Sequence, residues 1–231
     1  IFANPGYCIY TSGSTTPVPP SPFPWSTYSA APLGWTSDTK IIANSFSSCS
    51  GCDAIFIYYT DGATVYNNIA NGTGKLCYVM GWDRNITVLG NVVEQVTDNG
   101  IRCGADESIL STAPRDMDSV SIIGNVIRSC NRDGIRFSAN KSTVVGNVSS
   151  KNTLSGIAGV VCISSTIANN VCTENLNHGV GLVRSTVTGW GTYRSTTVIG
   201  NQCHQNAGRG IIVSGGGDSS ATAAQAIKVM G

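Results

Sequence analysis

The sequence predicts an all-β solenoid, a right-handed parallel β-helix of about seven to eight coils. Three observations carry the prediction. A short unit ending in asparagine recurs seven times, no helical period runs through that unit, and the composition favours short strands and turns.

The recurring unit comes first. The segments ending at Asn44, Asn68, Asn91, Asn125, Asn147, Asn170 and Asn201 align without gaps. Three residues before each Asn stands a β-branched residue: Ile41, Val65, Val88, Ile122, Val144, Ile167 and Val198. Successive Asn residues are 24, 23, 34, 22, 23 and 31 apart, so the base unit has 22 to 24 residues and two intervals carry insertions. Nine residues after the Asn stands Gly100, Gly134, Gly156, Gly179 or Gly210. The next position aligns Ala54, Tyr78, Ile101, Ile135, Ile157, Val180 and Ile211 as a strand column. Strands this short cannot close a sheet within one unit. Stacked units pair each strand with its equivalent, about 4.8 Å along the axis. A buried Asn amide both donates and accepts, so a column of them can bond from coil to coil. Asn152, Asn175 and Asn206 predict a second, shorter ladder.

Composition agrees. Of 231 residues, 27 are glycine, 41% are apolar and 12% are charged, with a net charge of +1. The low charge excludes the basic excess of a nucleic-acid binder and the polarity of a disordered chain. No apolar run reaches the length that spans a bilayer, so membrane insertion is not expected. No signal peptide is visible at Ile1. The chain begins without Met and stops where the run AIKVMG leads up to a further ladder Asn, so a piece of a longer chain is expected. A single β-helix domain over 1–231 is predicted.

The nine cysteines recur partly in repeat positions, Cys172 with Cys203 and Cys49 with Cys130. They are expected to be small, reduced core residues. Cys49-x-x-Cys52 lacks a second pair or a nearby His, so no metal and no cofactor are expected.

The units G-N-V-I-R-S-C-N-R-D-G-I-R-F-S (124–138) and G-N-V-S-S-K-N-T-L-S-G-I-A (146–158) resemble the coils of pectate-lyase-like parallel β-helices. These include bacteriophage tailspikes, capsular depolymerases, polysaccharide lyases and C5-epimerases. The resemblance covers about residues 40–213, and the Asp-Pro-His-Asp signature of the epimerases is absent. It implies a tailspike-type protein that binds and hydrolyses a bacterial surface polysaccharide, as a homotrimer on a virion or otherwise extracellular. A non-catalytic receptor-binding fibre segment and a polysaccharide lyase stay open as alternatives. A lyase would need a base and a neutraliser of the uronate carboxylate, such as Arg or a bound Ca²⁺.

Chemistry in a solenoid sits on strand faces and inserted loops. Insertions are predicted at about 12–38, 104–118, 185–194 and 214–224, all at one corner. Trp25, Tyr28, Trp35, Trp190 and Tyr193 on these loops either stack on sugar rings or pack on the coil wall. Arg84, Arg102, Arg136 and Arg194 are candidates for binding anionic sugar groups. Asp38, Asp61, Asp83 and Asp118 precede successive ladder Asn residues and are read as an acidic column. Neighbouring carboxylates at strand spacing can hold one proton between them, as glycoside hydrolysis requires. Asp61, Asp83, Asp106, Glu107, Asp116 and Asp118 are therefore the catalytic candidates; the other reading makes them turn-forming or solvated. One further column, from Ile42 through Tyr66, Leu89, Ile123, Val145 and Ala168 to Ile199, faces outward as an apolar stripe or is turned inward at the corner.

Overall fold

A computed structural model describes residues 7–12, 36–48, 51–58, 60–80, 83–104, 117–182, 193–214 and 228–230. They form strands joined by short turns, with no helix among them. The strands assemble into three parallel sheets of nine, eight and seven strands, each strand pairing with its equivalents one coil away. The first sheet runs from Tyr7–Ser12 through Asp53–Tyr58, Cys77–Met80, Ile101–Cys103, Ile135–Ser138, Ile157–Ile163 and Val180–Leu182 to Ile211–Val213. The second begins with Thr36–Ile42 and includes Thr60–Tyr66, Arg84–Leu89 and Asp118–Ile123; the third contains the strands that follow each ladder Asn. This is a parallel β-helix, and right-handed crossovers are the rule for such connections.

The Asn ladder is continuous. Each amide nitrogen from Asn44 to Asn170 donates to the Oδ1 of the next ladder Asn at 2.8 to 3.0 Å. The same oxygen accepts the backbone N–H of the preceding ladder residue. The second ladder exists as well, from Asn152 to Asn175 to Asn206, with both amide contacts at 2.8 Å. The residue before each ladder Asn is left-handed throughout, from Ala43 (φ 56°) to Gly200 (φ 63°), and this turns the chain from the second sheet into the third.

The column three before each Asn points inward: Val65, Val88, Ile122, Val144, Ile167 and Val198 are fully buried. Alternation then sends the next residue outward. Ile42 is 47% and Tyr66 43% exposed, so the outward reading of the apolar stripe holds, with Ala168 a buried exception.

One register expectation is corrected. The inward column of the first sheet is Ile55, Cys77, Ile101, Ile135, Ile157, Val180 and Ile211, not the column that began with Ala54 and Tyr78. The first of these coils has one residue more, and the second one fewer, between the ladder Asn and the strand. A shift of one residue exchanges the faces of a strand, so Phe56 and Tyr78 belong to the outer face.

The free cysteines pack as expected, with Cys77, Cys103, Cys130, Cys162 and Cys172 buried and Cys203 half-buried. Cys52 departs from that expectation. It stands in a turn outside both recurring cysteine positions and is disulfide-bonded.

Candidate functional site

The outer face of the first sheet carries a column set by register alone: Phe56, Tyr78, Arg102, Arg136 and then Ala158. Their inward neighbours are the apolar residues of the core, and alternation leaves these side chains on the other face. The Phe56 and Tyr78 rings meet edge to face with centroids 5.4 Å apart. Two cations approach the Tyr78 ring, Lys75 Nζ at 4.8 Å and Arg102 Cζ at 5.3 Å from its centroid.

A ladder of charge climbs the turns that lead into these strands. Lys75 Nζ donates to both oxygens of Asp53 at 3.1 and 3.2 Å and lies 3.0 Å from Asp98 Oδ2. Arg132 Nε is 3.8 Å from Asp98 Oδ1 on the next coil, and Arg136 Nη1 donates to Asp133 Oδ2 at 3.2 Å. Asp53, Lys75, Arg102 and Asp133 are buried, while Asp98, Arg132 and Arg136 form an accessible rim. Burial pushes the Asp53 carboxyl up, opposed by Lys75. Burial likewise raises Asp133, opposed by Arg136. The cluster therefore joins cations, carboxyls held toward their neutral form, and an aromatic face. Its accessible rim of Arg132 and Arg136 can bind an anionic ligand, over buried carboxyls that can hold a proton.

Lys75→Met is expected to cost about 3–5 kcal/mol at neutral pH, because it leaves the Asp53 charge buried without its partner. The sign with pH follows from the raised carboxyl. Its contribution is complete below the ordinary carboxylate range and is lost as pH rises through the folded value. The variant should thus lose more stability than the parent between mildly acidic and neutral buffer, as read by urea denaturation at both.

The acidic residues before the second sheet are arranged differently from expectation. Register aligns Ser37, Asp61, Arg84 and Asp118, so a guanidinium stands between the two carboxylates. Asp83 lies one residue out of this column; it is buried, and its Oδ1 accepts the Thr60 N–H. Asp38, left-handed at φ 52°, lies against Gly62 rather than in line with Asp61. Arg84 donates to Asp61 Oδ2 through Nε at 2.9 Å and Asn85 Nδ2 donates to Oδ1 at 2.7 Å. The Asn85 hydrogen bond, joined by that of Arg84, holds the Asp61 carboxyl below the usual range. Asp118 accepts from Lys141 Nζ at 2.8 Å. Asp61 and Asp118 are thus separated by a cation, and Asp61 is held toward its charged form.

Of the arginines, Arg102 and Arg136 are register neighbours on the first sheet, whereas Arg84 belongs to the second. The pair Tyr193–Arg194 is a short strand beside Cys162 and Ile163. Trp25, Tyr28, Trp35, Asp106, Glu107, Asp116 and Trp190 lie outside the described residues, as does most of each insertion. The described strands that bracket each of these segments lead from the first sheet to the second. Sequence reasoning missed Asp53, Lys75, Tyr78, Asp98 and Asp133. A signal was present: Asp98-Asn-Gly-Ile-Arg102 and Arg132-Asp-Gly-Ile-Arg136 are two copies of one element.

Three stacked parallel sheets with an internal Asn ladder define the chain as a parallel β-helix protein. It belongs to the family described as periplasmic copper-binding protein (NosD), whose model matches residues 36–222. No curated protein matches the sequence. Among solved structures, the periplasmic alginate epimerase AlgG is similar with a TM-score of 0.67 and 13% identity, over 97% of this chain and 46% of that one. The A-module of the mannuronan C-5 epimerase AlgE6 of Azotobacter vinelandii gives 0.52 and 14%, over 78% and 58%. The A-module of AlgE4 from the same organism gives 0.52 and 12%, over 78% and 56%. The chain thus spans about half the length of these structures, and at such identities the likeness shows the fold.

The family description raises copper, and the donor set tests it. The chain has only two histidines. His178, between strands, accepts the Arg209 N–H through Nδ1 at 3.0 Å, and His204 ends the strand Gln202–His204. Among the described residues no group of three or more His, Cys, Asp or Glu is placed to hold a metal ion. A copper centre of three or more such donors does not fit them. One pair of sulfur donors, Cys172 and Cys203, stands in register on adjacent strands.

Proposed function

We propose that the chain is a polysaccharide-acting β-helix that engages a carboxylated glycan on the outer face of its first sheet. The observation that carries this reading is the register stack of Tyr78, Arg102 and Arg136 over the Asp53–Lys75–Asp98 ladder. Guanidinium groups suit a sugar carboxylate, an aromatic ring suits a sugar face, and a raised carboxyl suits proton transfer. The similar solved structures are alginate and mannuronan epimerases, which supports a carboxylated glycan.

The test is binding and turnover on a panel of polyuronates and acidic bacterial capsules. Arg136→Ala and Arg132→Ala are each expected to weaken binding about tenfold, the scale of one charge-assisted hydrogen bond. Equal binding of acidic and neutral glycans, or parent-like affinity in both variants, would sink the assignment. The products sort the reaction. Unsaturated ends indicate elimination, inverted uronate centres indicate epimerisation, and new saturated reducing ends indicate hydrolysis. Hydrolysis by a phage tail or other extracellular protein is the finer reading, with Asp83 and Asp118 as its acids among the described residues. The exposed stripe from Ile42 and Tyr66 supports self-association, with a trimer as the form proposed.

Copper is a second reading. The family description suggests it, and the Cys172–Cys203 pair is the observation that favours it.

A further inference from the structure

We infer that Cys172 and Cys203 form a two-sulfur site for a soft monovalent cation, copper(I) by class; the inference rests on the copper reading and gives it a place. Both residues stand second after a ladder Asn, in the column that points into the coil interior with Phe46, Ala70, Val93 and Ile127. The strands Val171–Thr173 and Gln202–His204 pair with Cys172 opposite Cys203. Equivalent side chains on such strands are about 4.8 Å apart. Two metal–sulfur bonds of the zinc–thiolate length, about 2.3 Å each, span about 4.6 Å when in line. Register and strand spacing therefore bring the two cysteines to about the span of a two-coordinate metal.

The surroundings fit the same purpose. Gly179 lies against the same pair: a Cβ there would come 2.6 Å from Cys203 Sγ, so a glycine keeps the space beside that sulfur. The second Asn ladder runs alongside, with Asn206 Nδ2 donating to the Cys172 carbonyl at 2.9 Å and fixing the backbone that aims the sulfurs. No third donor from His, Cys, Asp or Glu completes a group with them among the described residues. Two sulfurs without a third ligand suit a soft d¹⁰ ion and not copper(II) or zinc, which demand more donors. As the metal binds, each thiol gives up its proton to solvent. Among the described residues no other free cysteine faces a cysteine in register: Cys77 pairs with Ile55 and Ile101, Cys103 with Val79 and Phe137, and Cys162 with Tyr193, while the Cys130 N–H donates to Asn152 Oδ1.

The experiment is an anaerobic titration of the purified chain with copper(I) against a chromogenic copper(I) chelator, with X-ray absorption on the loaded protein. One equivalent held against the chelator with two sulfur neighbours is expected. Cys172→Ala and Cys203→Ala should each abolish that equivalent, whereas Cys130→Ala should retain it. The half-buried Cys203 makes its variant the safer fold, and circular dichroism checks both. Copper held equally by either folded variant overturns the site while leaving the copper reading. No copper held by the parent chain overturns both.

Discussion

Asn125→Ala is expected to remove about 4 kcal/mol of stability, because several buried polar groups lose their partner together. Asn125 Oδ1 accepts the Asn91 backbone N–H and the Asn91 amide, both at 2.9 Å. Its Nδ2 donates to Val88 O at 3.0 Å, Ile123 O at 3.1 Å and Asn147 Oδ1 at 2.9 Å. Alanine supplies none of these, and the site is fully buried, so no water replaces them without opening the corner. The loss is also shared between two coil interfaces, since the residue bonds the coil on either side. Urea denaturation of parent and variant measures the effect. Asn44 is partly exposed and should tolerate alanine better. Equal losses at Asn44 and Asn125, or a loss under about 1 kcal/mol at Asn125, would show that the ladder is decorative.

The second large effect is steric. Gly134→Ala is expected to cost about 3 kcal/mol or more, the upper range for forcing atoms into a filled interior. A Cβ on Gly134 would overlap Ser149 Oγ and come 2.8 Å from both Asn152 Nδ2 and Gly156 O. Gly156 O belongs to the backbone of the next coil, so relief requires the stack itself to open. Gly124 supplies the contrast. It has φ 61°, and a Cβ added there would meet nothing within 4 Å, so alanine at this position meets only backbone strain, worth about 1–2 kcal/mol. Thermal unfolding of the two variants separates a close-approach glycine from a conformational one. If Gly124→Ala were the more damaging, the packing account would fail.

The periodic features were legible in the sequence because they are one-dimensional. A ladder Asn, a β-branched residue three before it and a glycine nine after it need only counting, and all three columns stand where counting placed them. The candidate site was less legible because it depends on turn length. One residue fewer between Asn68 and the strand Cys77–Met80 puts Tyr78, not Cys77, on the outer face, and the repeat alignment had no means of weighing that. The acidic column failed for the same reason. Asp83 and Arg84 are adjacent, and a shift of one residue decides which of them lies between Asp61 and Asp118. Lys75 illustrates a further limit. Its meaning comes from Asp53 and Asp98 on the coils to either side, and a single unit does not reveal that pairing.

The first ladder has a direction as well as a continuity. Between ladder side chains, from Asn44 to Asn170, every amide nitrogen gives to the Oδ1 of the Asn on the coil that follows, never the reverse. The side-chain amide dipoles therefore add head to tail along the rod, as peptide dipoles add along a helix. Each bond polarises the next. The ladder thus carries an electric axis, with its acceptor sense toward Asn44 and its donor sense toward Asn201. A coil can dock on either end only in the orientation that continues this polarity.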